Sequence, residues 1–109
     1  MAANSADATE KEAIRRLAAN PSLVRVTRTA QYDLVAHGLT KDDICSEIIA
    51  WIDGGQRVKK VALRGQHAGS PAFEMKPSIS HSLFYLKVSL CDVGEPDEYM
   101  LLLSAHPDH

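Results

Sequence analysis

Four side chains in the second half of the chain are of types that could work together on a phosphodiester: Lys60, Glu74, Tyr85 and His106. Cleavage of RNA by its own 2′-hydroxyl has three needs. That hydroxyl must lose a proton, the leaving 5′-oxygen must gain one, and the extra negative charge of the phosphorane must be offset. Proton transfer is served by groups able to titrate near neutrality, which makes Glu74 the candidate base and His106 the candidate acid. Lys60 and Arg64 would hold the phosphorane oxygens electrostatically. Tyr85 could donate a hydrogen bond to phosphate or assist a proton transfer, and Lys76 and Lys87 add cations along an RNA strand. The route needs neither a metal nor another cofactor. No serine or cysteine has a partner pattern that suggests a covalent nucleophile.

These residues can meet only if the elements that carry them alternate in step. After Gly55 the hydrophobic period changes to two, and four strand-like runs follow at 57–64, 72–76, 83–91 and 99–106. Glycine, proline and serine-rich breakers separate them, and such short connections favour an antiparallel meander. In the third run Phe84, Leu86, Val88 and Leu90 form an apolar side, so Tyr85 and Lys87 point the other way. The same reasoning assigns Val61 and Leu63, Phe73 and Met75, and Leu101, Leu103 and Ala105 to the core. It leaves Lys60, Arg64, Glu74, Lys76, Ser104 and His106 on the opposite face. A sheet with one solvated face carries polar residues there in any case, so alternation alone marks a surface and not an activity.

The first half reads as three helices. Thr9 and Glu12 have the spacing of a capping box ahead of an apolar stripe of Ala13, Ile14, Leu17 and Ala18, stopped at Asn20-Pro21. An extended piece over 23–26 leads to a second helix that starts at Thr27 or Thr29 and ends at His37-Gly38. Thr40 and the acids Asp42 and Asp43 open a third, in which Ile44, Cys45, Ile48, Ile49 and Ile52 recur at helical spacing up to Gly54-Gly55. The fold class expected is α+β, with N-terminal helices packed on a C-terminal antiparallel β-sheet. Residues 1–8 are expected to be a flexible N-terminus, 9–106 a single α+β domain, and 107–109 a C-terminal tail.

Composition bounds the rest. The chain has 109 residues, 45% of them hydrophobic and 24% charged, enough for one core and ordinary for a globular domain. No stretch reaches the length of a membrane span, no apolar run at the start suggests a signal peptide, and Cys45 and Cys91 read as reduced thiols of a cytoplasmic protein. The net charge of −2 hides a segregated distribution, since 54–90 holds six basic residues against the single acid Glu74. Such a field can draw an anion to one face. His106-Pro107-Asp108-His109 reads as a frayed end and not as a metal site.

The order and spacing of several runs resemble the MqsR family of toxins. They are Val24-Arg25-Val26-Thr27-Arg28-Thr29-Ala30, Gly38-Leu39, Ile44-Cys45-Ser46-Glu47-Ile48-Ile49, Val58-Lys59-Lys60, Phe73-Glu74-Met75-Lys76-Pro77, Phe84-Tyr85-Leu86-Lys87-Val88 and Leu102-Leu103-Ser104. The resemblance implies a RelE-like fold and an mRNA interferase, an endoribonuclease acting on single-stranded mRNA and restrained by a cognate antitoxin protein. It also implies active residues at Lys60, Glu74, Tyr85 and His106, where the family has lysine, glutamine, tyrosine and lysine. Two other functions fit the same residues. One is a catalytically weak or inactive relative serving as a protein-interaction module, marked by splayed side chains and an apolar patch elsewhere. The other is a small-molecule binder, which would need a deep, mostly apolar pocket.

Overall fold

A computed structural model describes residues 4–62 and 71–108. It is an α+β fold with three helices towards the N-terminus and a six-stranded sheet built mainly from the C-terminal half.

Helix α1 (Ala8–Ala18) is capped by Asp7, two residues before the expected Thr9. The Asp7 carboxylate accepts from the Glu10 amide at 2.8 Å and Glu10 accepts from the Asp7 amide at 3.0 Å, so the capping box is Asp7–Glu10. Both pairs have the required spacing of three, but an aspartate at the cap also gains from the helix dipole. Helix α2 (Arg28–Ala36) has Thr27 as its cap and ends at His37, followed by Gly38 in the left-handed region at φ 65°. Helix α3 (Lys41–Asp53) has a reciprocal Thr40–Asp43 box.

Ala13, Ile14, Leu17 and Ala18 of α1, Ala30 and Leu34 of α2, and Ile44, Cys45 and Ile48 of α3 are buried. They pack with Phe73, Met75, Phe84, Leu86, Val88, Met100, Leu102 and Ala105 from the strands in one core. Each large side chain removed from water there contributes about 1.5–3 kcal/mol before conformational entropy is charged against it. Both cysteines are free thiols, Cys45 buried and Cys91 half-buried.

The strands are β1 (Val24–Val26), β2 (Lys59–Ala62), β3 (Pro71–Met75), β4 (Ser78–Ile79), β5 (Ser82–Cys91) and β6 (Tyr99–Pro107). Their order is β1-β6-β5-β3-β2, with β4 paired to the start of β5. From β2 through β3 and β5 to β6 the sheet is the expected antiparallel meander. It is mixed, not wholly antiparallel, because the extended piece before α2 becomes β1 and runs parallel to β6. A β1–α2 unit leaves the chain on the helical side, so β1 can join the sheet edge without a tight hairpin.

The N-terminal segment expected to be flexible is tied down from Asn4 onward. Ser5 bridges Lys59, the Ala6 amide donates to the Val58 carbonyl at 2.8 Å, and the Lys60 amide donates to the Asn4 carbonyl at 2.6 Å. At the other end, the Asp108 amide donates to the Leu83 carbonyl at 2.7 Å, so the segment expected to be a tail continues the β5–β6 pairing to Asp108. Among the described residues no helix is long and apolar enough to cross a membrane.

Candidate active site

Two features of the sheet decide which side chains share the face turned away from the helices. The first is the register of β2. Val58 is fully buried, and Val58 and Val61 lie three residues apart, so a strand cannot turn both to the core. Val58 takes the core, and Lys60 follows it by alternation. Lys60 pairs with Phe73, which is fully buried, and its Nζ lies 2.5 Å from Glu10 Oε2 on α1. That ion pair and hydrogen bond raise the ammonium's pKa above its ordinary value. Lys60, expected beside Glu74, is therefore on the helical face. Lys59 takes the place opposite Glu74.

The second feature is an irregularity in the β5–β6 pairing. Lys87 pairs with Ser104 but Val88 pairs with Leu102, which leaves Leu103 as an extra residue. Leu101 and Leu103, expected in the core, are only half-buried, while Met100 and Leu102 are fully buried. Beyond the extra residue the phase is restored, Ala105 faces the core and His106 pairs with Tyr85. Strict alternation from Leu101 reaches the right answer at His106 only because the bulge cancels the error.

The outward face is thus a ladder. One row runs Lys59, Glu74, Lys87, Ser104, and the next holds Tyr85 and His106. Tyr85 is its hub. The phenol hydroxyl donates to Glu74 Oε2 at 2.5 Å, and its ring lies 5.3 Å from the His106 ring, tilted by 34°. Burial and the neighbouring Glu74 carboxylate both push the phenol pKa up, so Tyr85 stays a protonated donor at neutral pH. His106 Nδ1 lies 3.0 Å from the Pro107 carbonyl oxygen. A carbonyl only accepts, so Nδ1 carries a proton and Nε2 is the nitrogen left to exchange one.

The charge around the three is mixed, with the Asp108 carboxylate acting on the Tyr85 phenol. Lysines flank Glu74 in the ladder on both sides, and among the described residues neither Lys59 nor Lys87 forms an ion pair. Lys76 Nζ is 3.3 Å from Asp108 Oδ2. At the far end of the face, the Arg25 guanidinium sits 3.8 Å over the Tyr99 ring. Arg64, expected to bind the phosphorane and the RNA strand, lies outside the described residues.

Of the four residues singled out from sequence, Glu74, Tyr85 and His106 share the outward face and Lys60 does not. Sequence reasoning missed Lys59, although the spacing of Val58 and Val61 signalled the ambiguity. It also missed Arg57 and Trp51, which with Lys59, Glu74, Met75 and Lys76 line a groove of about 340 Å³ at the β2–β3 side of the sheet. Compared with known protein families, with curated proteins and with solved structures, the chain has no match.

Proposed function

We propose that this protein is a toxin-type endoribonuclease that cleaves single-stranded mRNA by acid–base catalysis and is held in check by a cognate antitoxin in the cytoplasm. The observation that carries the reading is the contact of Tyr85 with both Glu74 and His106 on an outward sheet face flanked by Lys59 and Lys87. Three of the four positions implied by the resemblance to MqsR toxins, Glu74, Tyr85 and His106, belong to this face; the fourth, Lys60, does not.

In the proposed reaction Glu74 removes the proton from the 2′-hydroxyl, and the 2′-oxygen attacks the adjacent phosphorus. The bond to the 5′-oxygen breaks, and that oxygen takes a proton from the His106 imidazolium. The products are a 2′,3′-cyclic phosphate and a free 5′-hydroxyl, and the protein is left with a protonated Glu74 and a neutral His106. Proton exchange with water restores both. Lys59 and Lys87 offset the charge that builds on the non-bridging oxygens. Tyr85, kept protonated, orients Glu74 and can donate to phosphate once RNA displaces the contact between them. Lys59 thereby takes the role first given to Lys60.

The test is a purified-protein assay on a short single-stranded RNA, with and without a chelator. The expected result is chelator-resistant cleavage that yields cyclic-phosphate ends. Intact RNA, or cleavage abolished by the chelator, overturns the reading.

A second reading, a catalytically weak relative acting as a protein-interaction module, is favoured by a separate observation. Tyr32 and Val35 are 71% and 69% exposed and lie three residues apart on α2, so they share one helical face. Such a face suits a protein partner. Partner binding with no RNA cleavage would select this reading.

A further inference from the structure

The groove at the β2–β3 side of the sheet opens onto Glu74 but is built largely from residues that the acid–base chemistry does not use. Arg57, Lys59 and Lys76 contribute cations and Trp51 an indole, while Met75 at the base of the groove is buried in the core. The indole is fixed in place, since Trp51 Nε1–H donates to the Arg57 carbonyl at 3.0 Å. That hydrogen bond ties the end of α3 to the approach of β2, so the aromatic wall and the cationic wall are held at one junction. Arg57 is oriented by its Nε–H donating to Ser5 Oγ at 2.7 Å. Among the described residues neither Arg57 nor Lys59 is ion-paired.

An aromatic beside clustered cations suits a ligand that is planar and apolar at one end and anionic at the other. A free anion would make no use of Trp51, and a purely apolar ligand would make no use of the cations. Nucleotides combine both properties: base–aromatic stacking tolerates any base, and the phosphate is met by Lys or Arg. Glu74 lines the groove and also accepts from Tyr85, so an occupant there would adjoin the proposed reaction centre.

We infer that this groove is a nucleotide subsite that holds the base and phosphate next to the scissile bond, with Trp51 against the base and Arg57 and Lys59 on the phosphate. The inference rests on the reading of this face as RNA-binding and adds to it the place where the strand is gripped.

Trp51 is the only tryptophan in the chain, so its emission reports on the groove alone. The experiment titrates the full chain with a 2′-O-methyl RNA tetramer, which cannot be cleaved at its capped 2′-oxygens. Separate titrations use a nucleoside 5′-monophosphate and inorganic phosphate. Saturable change in Trp51 emission is expected with the tetramer, weaker change with the mononucleotide, and none with inorganic phosphate at the same concentration. An identical change with inorganic phosphate overturns the base-binding role.

Lys59→Ser should weaken tetramer binding about tenfold and make the salt dependence shallower by about 0.7 in log K against log salt, the share of one phosphate on a single strand. Lys11→Gln, which removes the same charge from α1, should change neither. Equal effects from the two overturn the subsite in favour of general charge attraction. Because Trp51 is part of the packing, its own variants are compared as Trp51→Phe and Trp51→Leu by anisotropy of a labelled tetramer. The phenylalanine is expected to bind about tenfold more tightly than the leucine, and equal affinity overturns the stacking role.

The two readings fail separately. Tetramer binding with an emission change, but no cleavage of ordinary RNA, keeps the subsite and removes the nuclease. Cleavage with silent Trp51 emission keeps the nuclease and removes the subsite. Absence of both removes both.

Discussion

The Tyr85 hydroxyl, on β5, reaches diagonally to the Glu74 carboxylate on β3 and donates a hydrogen bond to it at 2.5 Å. The two residues are not ladder partners; Glu74 is paired with Lys87, two residues along from Tyr85. The diagonal is within the reach of a tyrosine, and it couples two strands through a half-buried charge-assisted bond.

Removing that bond should be visible in stability and in its pH dependence. Tyr85→Phe is expected to cost about 1–2 kcal/mol in urea unfolding at pH 7. Burial and Glu74 raise the phenol pKa in the fold, while an unfolded tyrosine ionises near about 10. The folded chain therefore binds this proton more tightly. Its stabilising contribution is complete below about pH 10 and is lost as pH climbs towards the folded value. Wild-type stability should fall on that alkaline limb, and Tyr85→Phe should show a flatter limb. Parallel limbs would show that Tyr85 does not carry the dependence.

His106→Ala should lower the rate of RNA cleavage on the order of 10²–10⁴-fold with an unchanged circular dichroism spectrum. His106→Lys should recover part of the rate if charge at that position counts for more than proton transfer. Single-turnover assays on a short RNA make the comparison, and full activity in His106→Ala would exclude it as the acid.

Lys59 and Lys60 make a paired test, since they are adjacent and differ in the face they occupy. Lys59→Ala should reduce cleavage about tenfold, as expected for one charge-assisted contact, with little change in stability. Lys60→Ala should leave cleavage near wild type and shift the urea midpoint slightly, because its partner is Glu10 on α1. The opposite pattern would mean that β2 sits one residue out of register in solution.

How far the fold could be read in advance depends on where periodicity was decisive. The three helices and the meander from β2 to β6 follow from apolar spacing and breakers that agree, although the cap of α1 is Asp7 and not the expected Thr9. Alternation failed where the apolar residues do not keep a period of two. Val58 and Val61 compete for the core, and only the docking of Ala6 beside Val58, which is tertiary, settles the phase. In β6 the run Met100-Leu101-Leu102-Leu103 is apolar at every position, so it carries no phase, and nothing in it announces an extra residue. β1 is three residues long and pairs with a strand more than seventy residues away, beyond what local pattern can show. Trp51 and Arg57 were invisible for a related reason: the groove they line joins the end of a helix to the approach of a strand.

The thiols should differ sharply in reactivity. Burial pushes the Cys45 thiol up to about 11, so little thiolate forms at pH 8. A thiol reagent should modify Cys91 first and reach Cys45 only after denaturant is added. Two fast thiols, or an intramolecular disulfide by non-reducing mass spectrometry, would contradict the packing of α3.

The β4–β5 hairpin turns through Ser80 and His81, which have φ of 51° and 67°. Two left-handed residues in a two-residue loop are the demand of a type I′ turn, which Asn-Gly meets with least strain. Ser80→Asn together with His81→Gly should raise stability by about 1 kcal/mol in urea unfolding. An unchanged midpoint would mean that the loop is not strained in solution.

Strand β6 packs against β5, β1, α1 and α2, and it also carries His106. Its partner β1 is made early in translation and must wait for it, and such non-local pairing is slow to form. A nascent chain on the ribosome therefore has its helices before it has any imidazole beside Tyr85. Under the proposed function, the message being read is safe from its own product until β6 docks.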